Sequence, residues 1–138
     1  MSRRLARQAV MSLLYERDIN KEPGENTLLE MKDILKTDEF IERHGDYIEI
    51  ILSEYEKNQN RVNDIIEANC VGWTIDRLSR VDISILRLAI VEILYTDTPV
   101  KVSVNEAVEL AKLYSTEKSS SFINGLLASV IKQTGNDI

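Results

Sequence analysis

Histidine and cysteine each occur once in this chain of 138 residues, proline twice and glycine five times. Each shortage closes a route. With Cys70 alone no internal disulfide can form, and a cytoplasmic location is the expected default. With His44 alone, Ser-His-Asp arrangements and histidine-based metal sites have almost nothing to use. The glycines stand apart at positions 24, 45, 72, 125 and 135, so there is no glycine-rich phosphate loop. No apolar run approaches the ~20 residues that span a bilayer. Arg7, Gln8 and Ser12 interrupt the N-terminal stretch that a signal peptide would keep apolar. The chain is therefore expected to be non-catalytic, with no metal, no cofactor and no membrane partner.

What remains is ordinary for one soluble globular domain spanning residues 1–138: 43% apolar and 29% charged residues. Few turn formers favour an all-helical chain. Its charge is distributed unevenly. Residues 1–21 carry five basic and two acidic residues, residues 22–69 five basic and thirteen acidic, and residues 112–134 three basic and one acidic. The formal net charge is −6, yet both ends are basic. Such asymmetry speaks about partners rather than fold.

Apolar spacing predicts about seven helices. Ala6, Ala9, Val10, Leu13 and Leu14 mark one from residue 3 to about 19, and Pro23-Gly24 breaks the chain. A short helix follows over 27–36. Thr37-Asp38 caps a longer one through Tyr55, and Asn60 caps the next, with Val62, Ile65 and Ile66. Ser79 and Asp82 have capping-box spacing ahead of a segment, Ile83 to Tyr95, in which only Ser84, Arg87 and Glu92 are polar. A helix apolar nearly all round belongs at the centre of a bundle. Ser103 and Glu106 read as a second capping box opening a helix to Tyr114, the stretch 115–121 as a loop, and Phe122 to about Lys132 as the last helix.

The basic ends suggest an anionic partner. At about 100° per residue, Arg3, Arg4 and Arg7 fall within an arc of about 100° beside the apolar stripe, and Tyr15 lies on the same edge. Guanidinium groups pair bidentately with phosphate, and a neighbouring ring can stack on a base. Lys112, Tyr114, Ser115 and Lys118, with Asn124 just beyond, supply cations, hydroxyls and an amide suited to phosphate, ribose and base edges. The alternative for each is structural: solvated helix edges, caps and core. Gly125 and, for the most part, Phe122 are assigned to packing.

Four segments carry a family resemblance: "RRLARQAVMSLLY", "DRLSRVDISILRLAIVEILY", "PVKVSVNEAVELAKLYS" and "FINGLL". In order and spacing they resemble the NusB family of bacterial transcription antitermination factors, most specifically through "NEAVELAK" followed by "FINGLL". The same module resembles the N-terminal domain of certain ribosomal-RNA cytosine methyltransferases; with 138 residues, the stand-alone factor is expected. The resemblance implies two small helical bundles packed together and no enzymatic activity. It implies binding to single-stranded boxA RNA jointly with ribosomal protein S10 (NusE), within a transcribing RNA polymerase complex holding other Nus factors. By motif, Arg3, Arg4, Arg7 and Tyr15 match the family's arginine-rich first helix. Lys112, Tyr114, Ser115, Lys118 and Asn124 match its C-terminal RNA-facing segment, and Asp76 and Asp82 match acidic positions facing S10. Leu5 interrupts the arginine run, and Lys118 is a cation where the family often has an acid. Two other readings stay open: a protein–protein scaffold without direct RNA binding, and a regulatory homodimer.

Overall fold

The computed structural model describes residues 3–20, 38–70 and 78–135. Five helices form there, and no strand does: α1 Arg3–Asn20, α2 Asp38–Ala68, α3 Arg80–Tyr95, α4 Val100–Tyr114 and α5 Glu117–Thr134. The all-helical expectation holds with a smaller count. The short helix expected over 27–36 lies outside the described residues. The two helices expected around Asn60 run on as α2, bent at Asn58 where the backbone leaves helical angles (φ −120°, ψ 18°). The Asn58 amide donates to the Glu54 carbonyl at 2.8 Å, a local bond that competes with the helix ladder.

The helix α3 is the axis of the fold. It packs against each of the other four; α1 and α2 also pack against each other, as do α4 and α5. The two small bundles implied by the resemblance thus share a helix. Its residues from Asp82 to Ile93 are buried apart from Arg87, as an all-round apolar helix requires. The first capping box is half realised: Ser79 Oγ accepts from the Asp82 backbone N–H at 3.1 Å. Asp82 Oδ1 has no hydrogen-bond partner.

Two boundaries differ from the sequence reading. Pro99, with φ fixed at −57°, starts α4 a turn earlier than expected, and its carbonyl accepts from the N–H groups of Val102 and Ser103. Ser103 and Glu106 therefore lie inside the helix and cap nothing. Thr116 starts α5 by accepting from the Ser119 N–H at 3.0 Å, so most of the stretch expected to be a loop is the helix's first turns. Glu117 sits well there, since the helix N-terminus favours negative charge.

Inside the core lies an ionised cluster. Glu92, 1% exposed, accepts from Arg7 Nε at 2.8 Å and Nη2 at 3.2 Å, from Ser103 Oγ at 2.8 Å and from the Tyr47 hydroxyl. One carboxylate on α3 thereby joins α1, α2 and α4. Burial disfavours the Arg7 charge, but the Glu92 hydrogen bonds and charge outweigh it and the guanidinium is held more firmly protonated than usual. Burial, then the Glu92 charge, pushes the Tyr47 phenol far up, so it remains a donor. Arg7 is thus not on the solvated edge where the helical wheel sets it with Arg3 and Arg4. It is 6% exposed, three and seven residues before the buried Val10 and Leu14 on the core-facing side of α1.

Removing one partner of such a pair strands a buried charge. Glu92→Ala is expected to lower unfolding free energy by about 3–5 kcal/mol. The double change Arg7→Met with Glu92→Leu is expected to recover most of it, since neither charge remains to be buried. Urea denaturation of the single and double variants checks both; a Glu92→Ala protein as stable as wild type would mean the cluster is not ionised.

Candidate nucleic-acid interface

The first two turns of α1 leave their arginines in three different states. Arg3 is exposed, its guanidinium 4.4 Å from the centroid of the Tyr47 ring, a cation–π stack. Arg4 reaches across to α4 and forms a fork with Glu106, Nε to Oε1 at 3.1 Å and Nη2 to Oε2 at 2.8 Å. Arg7 is the buried partner of Glu92, with Nη1 3.6 Å from Glu106. The inward residue orients the helix, and the outward two are what the solvent meets.

Arg4 also lines a surface groove of about 630 Å³ between α1, α4 and α5. Glu106, Glu109 and Lys112 of α4 and Ser121 and Asn124 of α5 line the same groove. Arg4 and Lys112 come from segments about a hundred positions apart, and the groove gathers them with the Asn124 amide. Lys112 Nζ lies 3.5 Å from Glu109 Oε1, one turn back on α4. Hydrogen bonds from Arg4 hold the Glu106 carboxyl below the ordinary carboxylate range, against the opposing effect of burial.

Tyr114 closes α4 as a residue 47% exposed, and its hydroxyl donates to Gln8 Oε1 on α1 at 2.9 Å. That bond links the ring to the arginine-bearing helix and leaves it accessible. Ser115 is the C-cap of α4, its N–H bonded to the Ala111 carbonyl at 2.8 Å. Tyr15 lies further along α1, 38% exposed.

Lys118 faces elsewhere. It lines a second cleft of about 390 Å³ with Leu78, Ser79, Asp82, Thr116 and Phe122. The sequence reading assigns Lys118 to RNA and Asp82 to a protein partner, whereas the structure sets them in one cleft at the N-terminal ends of α3 and α5. Asp82 is 6% exposed, so the cleft shows little of it to solvent. Asp76 lies outside the described residues. Ser121 does not stand out in the sequence, nor do Glu106 and Glu109 as groove residues. The one sequence signal for the two glutamates is their three-residue spacing on a helix that also carries Lys112. Among the described residues, no group of three or more His, Cys, Asp or Glu side chains is placed to hold a metal, and no helix is long and apolar enough to cross a membrane.

The chain is similar to known proteins along nearly its whole length. Residues 3–132 match the NusB family model. The transcription antitermination protein NusB of Natranaerobius thermophilus is 45% identical over 139 residues, covering 96% of each chain. The structure of T. maritima NusB superposes with a TM-score of 0.79 at 34% identity, covering 96% of this chain and 92% of that one. A chain from a crystal structure of antitermination factors NusB and NusE in complex with dsRNA shares the fold, with a TM-score of 0.80 at 24% identity over 95% of this chain and 96% of that one. By family model, near-full-length identity and fold, this chain belongs to the NusB family of transcription antitermination factors.

Proposed function

We propose that the chain is a non-catalytic adaptor that binds single-stranded boxA RNA together with ribosomal protein S10 (NusE). In this reading it supports processive ribosomal-RNA transcription by RNA polymerase with the other Nus factors. The observation that carries the reading is the groove, where Arg4, Lys112 and Asn124 from three helices line one surface. Arg4 and Lys112 suit phosphates, and Arg3 is a further exposed cation on α1. Amides such as Asn124 suit base edges, and the accessible rings of Tyr114 and Tyr15 suit stacking. Arg7 acts at one remove, by fixing α1. Ser115 belongs to the same turn as Tyr114, and Lys118 extends the cation set toward the second cleft. A chain of the same fold, from a crystal structure of NusB and NusE in complex with dsRNA, supports RNA and NusE as the class of partner.

Asp82 and Asp76 are the proposed contacts for S10. Ribosomal proteins are generally basic, and opposite-sign patches speed and orient association. Titration of a boxA single strand, with and without S10 and across a salt series, tests the whole reading. Salt-dependent RNA binding that S10 tightens supports it. Binding to S10 with none to RNA would leave a protein–protein scaffold in its place.

Two variants separate charge from stacking. Arg3→Ala with Arg4→Ala is expected to weaken binding to all sequences alike. The salt slope should flatten by at most ~0.7 for each phosphate that is no longer neutralised. Tyr114→Ala is expected to cost ~1–3 kcal/mol of RNA affinity and leave the salt slope almost unchanged. Tyr114→Phe, which loses only the bond to Gln8, should be nearly silent. Fluorescence anisotropy titrations at several salt concentrations read both effects.

A further inference from the structure

The groove is not an open cationic surface. Its two cations are both held by carboxylates from the same face of α4. Both oxygens of Glu106 meet the Arg4 fork, with 48% of the arginine side chain and 16% of the glutamate side chain exposed. Glu109, one turn on, holds Lys112. A carboxylate receiving two parallel N–H bonds from a guanidinium has the geometry that a phosphate uses. The resting groove therefore carries its own anions where a phosphodiester would sit, and its four charges cancel.

We propose that Glu106 and Glu109 are built-in stand-ins for phosphate, holding Arg4 and Lys112 until a nucleic-acid strand displaces them and so setting the groove's affinity. The proposal rests on the RNA-binding reading above. Displacement is feasible because exposed ion pairs are individually weak, whereas the buried Arg7–Glu92 pair stays in place. Each cation must give up a carboxylate before it fully neutralises a phosphate, and the released carboxylate then repels the strand. Affinity is held down in two ways at once. Salt screens the intramolecular pair along with the RNA contact, so the salt dependence is shallower than the number of cations in the groove implies. A glutamate that merely braced the groove would act in the opposite sense, since its loss would loosen the arginine and weaken binding.

Glu106→Gln and Glu109→Gln keep side-chain size and remove the charge. The probe is a labelled short single-stranded RNA of boxA type, titrated by anisotropy across a salt series. Each variant is expected to tighten binding at low salt by about two- to five-fold. Each should also steepen the salt slope by up to ~0.7, and the double variant should exceed either. Glu56→Gln, at an exposed position on α2, is the control for net charge. Variants that bind no more tightly than this control, or more weakly than wild type, overturn the proposal. Glu106 also lies 3.6 Å from Arg7, so a thermal melt accompanies each variant. If Glu106→Gln is misfolded, Glu109→Gln decides alone, because its partner Lys112 is exposed. Wild-type protein without salt-dependent RNA binding would remove the RNA reading and this proposal together. Wild-type binding with no gain in the variants would remove only this proposal.

Discussion

A carboxylate with almost no solvent exposure must be surrounded by donors or not be ionised at all, and Glu92 is surrounded. Arg7, Tyr47 and Ser103 each bring a donor from a different helix to the same two oxygens on α3. Apolar contacts tolerate small rotations of a helix about its axis, whereas a bidentate guanidinium does not. Drawing Arg7 inward fixes the rotation of α1, and its first turn follows. Arg4, three residues earlier, is carried toward α4 and meets Glu106, while Arg3 lies over the ring of Tyr47, whose hydroxyl is already committed to Glu92. The surface arrangement is thus a consequence of a buried one. Such a cluster adds less net stability than its bonds suggest, because both charges had to leave water. Its effect is on geometry.

The parts of this fold visible in the sequence are those governed by near neighbours. The all-round apolar run after Ile83 identifies α3 as the centre, and Ser79 caps it through a residue three positions away. The errors share one cause, which is that a local pattern is overruled by something it does not contain. Ser103 and Glu106 have the spacing of a capping box, but Pro99 starts the helix sooner. Once inside it, each side chain finds a distant partner, Ser103 at Glu92 and Glu106 at Arg4. The loop expected before Phe122 has no apolar periodicity, so only its cap, Thr116, signals a helix. Arg7 is the clearest case. A wheel shows it beside Arg3 and Arg4, and nothing nearby announces that its counter-ion waits 85 positions further on.

The candidate site is visible in the sequence as a set of residue types and not as a surface. Arginines at one end and a Lys-Tyr-Ser segment at the other stand out as a pair because both are basic in an acidic chain. Which members share a surface depends on how α4 and α5 pack beside α1. Lys112 and Asn124 fall with Arg4, and Lys118 falls with Asp82. The acids of the groove escape notice for a related reason. Searching for an anion-binding site by counting cations overlooks carboxylates that are already in the anion's place.

The first two turns of α5 border both concavities. Ser121 and Asn124 line the groove, and Lys118 and Phe122 line the cleft beside Asp82. A ligand in either one therefore touches a helix that also forms the wall of the other. Thr116 fixes the start of that helix through one hydroxyl, and the same residue lines the cleft. Two molecules bound side by side there would share the first turns of α5 as a common wall.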